Sequence, residues 1–117
     1  VIIGTGIDIV DVERFERTLA RTPRLLERLF APAERALKTR SLAARYGAKE
    51  ALIKALGGSD GVHWTEIEVA SEASGKPYFV LSGTTAEVLD ERGVTRVHLT
   101  MSHDRGLAVA FVVLEAA

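Results

Sequence analysis

The 117-residue chain has no cysteine, which excludes disulfides and thiolate metal sites and fits a reducing compartment, the cytoplasm being the expected one. It has no apolar run near the roughly 20 residues that cross a bilayer. Its opening, VIIGTGIDIV, carries neither the basic flank nor the small-residue cleavage site of a secretory signal, so no membrane association is expected. An excess of positive charge is also missing. The formal net charge is −1, which gives no indication of a nucleic-acid partner. Repeats, low-complexity tracts and linker-like stretches are absent. Hydrophobic residues at 47% against 26% charged argue against disorder. The expectation is one domain over residues 1–117. The charge that is present is unevenly spread. Residues 1–54 hold 11 Lys/Arg and 7 Asp/Glu, for +4, and residues 55–117 hold 4 and 9, for −5. Two faces with different partners would produce such a split, and so would chance.

Residues 2–10 are apolar and β-branched, interrupted by Gly4 and Gly6, and predict a buried strand. Asp11 is placed to cap a helix starting at Val12, and Pro23 and Pro32 stand where helices restart. A long helix is predicted from Ser41 to Leu56, stopped by Gly57 and Gly58. The remainder alternates as strands do. Glu66 to Ser71 and Pro77 to Ser82 form a hairpin about the turn at residues 73–76. A short helix from Thr84 to Arg92 ends at Gly93, and Arg96 to Ser102 pairs with Leu107 to Glu115 around Asp104, Arg105 and Gly106. The last strand is apolar on both faces and is expected at the centre of its sheet. Strands and helices in separate blocks predict an α+β fold.

Asp8 shares a strand face with Ile2, Gly4, Gly6 and Val10. A carboxylate on such a face requires a cation or hydrogen-bond donors, because burying it alone costs several kcal/mol. The glycines beside it allow close approach of either a ligand or another backbone. On the long helix, Arg45 and Lys49 fall within the large apolar sector, with Glu50 and Lys54 at its flanks. The pair Glu50 and Lys54 reads equally as an ordinary ion pair one turn apart. Arg45 and Lys49, also one turn apart, repel unless an anion lies between them, and a polyanionic ligand would serve all three cations. Two carboxylates without a Cys/His cluster suit magnesium, which takes one or two carboxylates, waters and phosphate oxygens, better than zinc. Arg14, Arg17, Arg21, Arg24 and Arg28 recur at helical spacing. They form either a solvated face with local glutamates or a docking stripe for an acidic protein. His63 and His98 read as ordinary loop and strand residues. His103, ending a strand beside a turn, and Lys76, in the turn Gly75-Lys76-Pro77, are further candidates. The segment Gly57 to Gly61 lacks the lysine and following helix of a phosphate-binding loop and reads as a helix stop.

Four stretches together resemble the holo-acyl-carrier-protein synthase family of small 4′-phosphopantetheinyl transferases. They are Gly4-x-Gly6-x-Asp8 followed by Arg14, Phe30-Ala-Pro-Ala-Glu34, Arg45-Tyr-Gly-Ala-Lys49-Glu50-Ala-Leu-Ile-Lys54, and Ser102-His103 before the final strand. The match runs the length of the chain. It implies a mostly antiparallel sheet packed against a long central helix, in a homotrimer with sites between subunits. It also implies transfer of 4′-phosphopantetheine from coenzyme A to a serine of an acyl carrier protein, with Mg²⁺ as cofactor. By the same resemblance Asp8 and Glu50 would hold the metal, and Glu50 and Lys54 would carry the chemistry. Arg45, Lys49, Lys54, Lys76 and His103 would contact coenzyme A, and Arg14, Arg21, Arg24 and Arg28 the acidic carrier helix. Tyr46 and Gly47 stand where Phe or Trp and Ala are common, and Ala31-Pro32 where Thr or Ser is frequent. These departures are expected to touch packing and loop shape rather than ligands. The residues alone also allow a different class, a non-catalytic module that docks a protein and holds a nucleotide.

Overall fold

Alternation along the strands decides how the layers meet. In the computed structural model, which describes residues 1–117, β1 spans Ile2–Asp11, followed by α1 Val12–Arg21 and α2 Leu25–Leu29. A 3-10 turn at Pro32–Glu34 precedes the long α3, Thr39–Leu56. A second such turn at Trp64–Glu66 leads to β2 Ile67–Ser71, β3 Pro77–Leu81, α4 Gly83–Glu91, β4 Arg96–Asp104 and β5 Leu107–Glu115. The strands form an antiparallel three-stranded sheet in the order β1-β5-β4 and a separate β2-β3 hairpin. This is the expected α+β arrangement, with the doubly apolar β5 in the centre. No helix is long and apolar enough to cross a membrane.

The inner face of β5, Ala108, Ala110, Val112 and Leu114, is at most 2% exposed. There it packs with Leu52 and Leu56 of α3 and with Ile67, Val69, Leu89 and Leu99. A second cluster gathers Val10, Val12, Phe15, Phe30 and Leu42 beneath α1. Ten of the 18 residues of α3 are buried, which explains its alanine-rich, nearly moment-free sequence: it is covered on most sides. Gly57, at φ 81, ends it, its N–H bonding Lys54 O at 3.0 Å while Gly58 N–H bonds Ile53 O at 3.2 Å.

Three expectations are corrected. The first strand is not buried on both faces: β1 is an edge strand whose outward Ile7 and Ile9 are 54% and 63% exposed. From Gly4 onward its even-numbered residues face α3, while the register irregularity between Ile2 and Gly4 turns Ile3 onto the core and leaves Ile2 exposed. The arginine series does not lie on one helix, because α1 ends at Arg21 with Thr22 as its cap and Arg24 precedes α2. The final hairpin is longer than expected. β4 runs to Asp104, and the turn is Arg105 and Gly106 at φ 47 and 77, so His103 lies inside a strand, opposite Ala108.

Candidate active site

Even-numbered β1 residues, the inner side of α1 and the exposed edge of α3 enclose a cleft of about 540 Å³ lined by Asp8, Arg14, Phe15, Tyr46, Glu50, Lys54 and Trp64, among others. Gly6 lets β1 come against α3: a Cβ there would stand 2.7 Å from the Ala55 amide nitrogen. The two elements stay close beyond it, with Gly47 of α3 lying against Val10 and Asp8, and Asp8 lines the cleft from the strand while Glu50 and Lys54 line it from the helix. Asp11, also on the cleft wall, is committed to capping α1, accepting from Arg14 N–H at 3.1 Å.

Lys54 does not pair with Glu50, its neighbour one turn away. Its ammonium reaches across to Asp8 Oδ1 at 2.9 Å and to Ile7 O at 3.0 Å. The hydrogen bond to Asp8 raises the Lys54 pKa above its ordinary value, opposed by the cost of burial and helped by the charges of Asp8 and Glu50. Glu50 instead accepts a hydrogen bond from the Tyr46 hydroxyl, 3.0 Å to Oε1. That phenol is pushed up to about 12, first by burial, then by the bond to Glu50 and the negative charges of Glu50 and Asp8. Both acids therefore act on a single hydroxyl. The departure at Tyr46, expected to concern packing alone, touches a proposed ligand directly.

The donor set fits a magnesium ion. Asp8 and Glu50 share an open cleft, no cluster of three or more His, Cys, Asp or Glu side chains exists, and the remaining positions are free for water and phosphate oxygens, as this ion prefers. In the metal-free chain the Lys54 ammonium occupies Asp8 Oδ1.

Lys49 stands elsewhere. It is fully buried, with Nζ 2.6 Å from Glu34 Oε1 and 2.7 Å from Leu29 O, and 4.8 Å from the centre of the Phe30 ring. Burial pulls its pKa down while Glu34 pushes it back up. The counter-ion of Lys49 is Glu34, inside the fold, and a fully buried side chain departs from the expected contact with coenzyme A. Arg45 is held by Val69 O at 3.2 Å. His103 lines a second cleft, about 420 Å³, with Arg40 and Arg105, and Lys76 is exposed in the β2–β3 turn. Within one chain, none of Arg45, Lys76 and His103 lines the Asp8–Glu50 cleft. Arg14, Arg17, Arg21, Arg24 and Arg28 are all exposed and none is in an ion pair, so the local glutamates do not neutralise them.

Sequence reasoning missed the aromatic wall. Tyr46 stacks on Trp64 at 5.6 Å and 13° and leans on Phe15 at 5.2 Å. The single tryptophan was the available signal. It also missed Arg40 and Arg105. A non-glycine at positive φ in a two-residue turn is uncommon enough to draw notice, but it is visible only once the turn is known.

Residues 4–112 match the model of the 4′-phosphopantetheinyl transferase superfamily. A holo-[acyl-carrier-protein] synthase of Clavibacter sepedonicus is 62% identical over 112 residues, covering 96% of this chain and 94% of the relative. The crystal structure of the holo-[acyl-carrier-protein] synthase from Neisseria meningitidis superposes with a TM-score of 0.90 at 35% identity, over 98% of this chain and 99% of that one. The Helicobacter pylori enzyme, solved in complex with coenzyme A, gives 0.84 at 32% identity, over 95% and 99%. The chain belongs to the 4′-phosphopantetheinyl transferase superfamily. Within it, these relatives place the chain with the holo-acyl-carrier-protein synthases.

Proposed function

We propose that the protein transfers 4′-phosphopantetheine from coenzyme A to a serine of an apo acyl carrier protein, releasing 3′,5′-adenosine diphosphate. The observation that carries this reading is the convergence of Asp8, Glu50 and Lys54 in one open cleft. Asp8 and Glu50 would hold Mg²⁺, which when bound would neutralise the coenzyme A diphosphate against which the serine oxygen must advance. Glu50, directly or through a water, takes the serine proton as the new P–O bond forms. Lys54, on a flexible stem and half exposed, swings from Asp8 to the adenosine 5′-phosphate that leaves as the diphosphate P–O bond breaks, and stabilises its developing charge. The nucleophile belongs to the partner, so this chain needs no Ser-His-Asp arrangement of its own.

The exposed arginines of α1 and α2 supply the docking face for an acidic carrier helix, with Arg14 at the rim of the cleft. The outer face of the sheet, with Ile7, Ile9, Leu107 and Phe111 uncovered, is the surface by which three copies associate as a homotrimer. In that assembly His103, flanked by Arg40 and Arg105, meets the adenosine phosphates held at a neighbour's cleft, and Arg45 and Lys76 complete the coenzyme A contacts. The setting is the cytoplasm, and residues 1–117 act as one transferase domain.

Incubation with apo carrier protein, coenzyme A and Mg²⁺ should give a carrier heavier by one phosphopantetheine, detected by mass spectrometry. Chelation of the metal should stop the reaction. Glu50→Gln should remove nearly all turnover while circular dichroism and thermal midpoint stay as in wild type, and a Glu50→Gln variant that still makes holo carrier at a near-normal rate refutes the assignment.

A further inference from the structure

We infer that Tyr46 is a positioning residue for Glu50: its hydroxyl fixes the carboxylate in the orientation that receives the divalent cation. The inference rests on the reading of Glu50 as a metal ligand and extends it to a residue that the reading does not use. A glutamate at a cleft wall has three side-chain torsions to immobilise. Tyrosine has two, and here its ring is clamped. Trp64, from the turn before β2, stacks on one side at 5.6 Å, and Phe15 of α1 packs at 5.2 Å. The hydroxyl direction is thus set by three separate elements before any ligand arrives. It donates to Oε1 at 3.0 Å, and Oε2 takes no hydrogen bond within the molecule, which leaves that oxygen for a ligand. Tyr46 and Glu50 lie one helical turn apart on α3, so the bond spans rigid backbone rather than a loop. A phenylalanine ring here would keep the stack and lose the donor. Hydrogen bonds to ligating carboxylates orient them and sustain metal affinity.

Tyr46→Phe preserves the ring and removes one oxygen atom. Mn²⁺ binding is followed by electron paramagnetic resonance with coenzyme A present and no carrier protein. The dissociation constant should rise about tenfold in the variant, while coenzyme A affinity without metal and the thermal midpoint remain as in wild type. In turnover the Mg²⁺ half-saturation should rise in step, with the carrier KM unmoved. Unchanged Mn²⁺ affinity in Tyr46→Phe, with wild type binding normally, overturns the role of Tyr46 alone. Failure of wild type to bind Mn²⁺ overturns the metal assignment and this inference together. Should Tyr46→Phe match wild type while Tyr46→Leu loses Mn²⁺, the ring matters and the hydroxyl does not, and the inference is again overturned. A fall in thermal midpoint and coenzyme A affinity together in Tyr46→Phe would likewise assign the hydroxyl to the fold.

Discussion

Lys49→Met separates two accounts of one lysine. If the side chain serves a ligand, the variant folds normally and loses affinity for coenzyme A. If it serves the fold, the reverse holds. In the structure Lys49 Nζ donates to Glu34 Oε1 at 2.6 Å, Leu29 O at 2.7 Å and Trp64 O at 3.4 Å. Glu34, 1% exposed, also accepts from Ala31 N–H at 2.9 Å and from Val69 N–H at 3.1 Å. The pair thus ties the end of α2, the turn after it, β2 and α3 together at one buried point. Methionine fills a similar volume without charge, so the loss is electrostatic: Glu34 keeps two amide donors and loses its counter-ion. Removing one partner of a buried pair costs about 3–5 kcal/mol, a large share of the roughly 5–15 kcal/mol by which domains are stable. Urea denaturation followed by Trp64 fluorescence should report a loss of that size with an unchanged m value. Adding Glu34→Gln should recover part of it, since no uncompensated charge then remains. A Lys49→Met protein as stable as wild type, but with a raised KM for coenzyme A, would refute the structural role and restore the ligand role expected from the sequence.

Replacing Arg14 and Arg24 together by alanine should raise the KM for the carrier protein and leave coenzyme A binding intact, and the defect should mimic the effect of added salt. Equal losses for both substrates would exclude the arginines as a docking face. Phe111→Glu, on the open sheet face, should convert the assembly to monomers in sedimentation velocity and suppress turnover. Its effect on the stability of the isolated chain should stay within about 1 kcal/mol, as for other exposed positions; an unaltered sedimentation coefficient would rule out this face as the interface. Alkaline denaturation of the metal-free protein reads out Tyr46. Its pKa rises from 10.0 in the unfolded chain to about 12 in the folded one, so the unfolded state releases the proton first. The associated stability is complete below pH 10 and disappears as pH climbs toward 12. Its size is about 1–2 kcal/mol, less than the shift alone would give, because the phenol is partly screened by solvent. Tyr46→Phe should lack this component, and parallel profiles for the two proteins would refute it.

The order of elements was legible because each carries its own period or stop signal. Gly57 ends α3, the turn at 73–76 closes β2 onto β3, and β5 announces its central place by being apolar on both faces. What could not be read is what depends on partners distant in the chain. The ammonium of Lys49 is neutralised by Glu34, 15 residues earlier, and nothing in the helix itself distinguishes that pairing from a ligand contact. Lys54 had a carboxylate one turn away and took another 46 residues away, because β1 lies closer to it than helical spacing suggests. The open outer face of β1 had the same cause. Period-2 alternation shows that a strand has two faces, but not that α3 covers only one of them within a single chain. Asp8 stood out because strand alternation puts a carboxylate on an otherwise apolar face, whereas Glu50 stood only at the flank of its helix's apolar sector and its role came with the family resemblance. The bond from Tyr46 to Glu50 was not legible, although the spacing allowed it, because the tyrosine was counted with the apolar sector of its helix.

The two glycines of β1 decide where the cleft can begin. A strand glycine near an acid is compatible with a ligand or a backbone lying over it, and here both sites are taken by backbone. A Cβ on Gly4 would press on the carbonyl of Ala55, and one on Gly6 on the carbonyl of Ala51. Neither position has room for a nucleotide. The inner face of β1 is therefore closed by α3 up to Gly6 and first meets the cleft at the next inward residue, which is Asp8. On the helix, the residues that press on the strand are Ala51 and Ala55, and Glu50 and Lys54 each immediately precede one of them. They sit about 100° around the helix from the contact, beside the line along which strand and helix touch. The close approach and the placement of the acids are thus one feature of the sequence. The small residues bring β1 onto α3, and the charged residues adjoining them on each element converge at the edge of that contact.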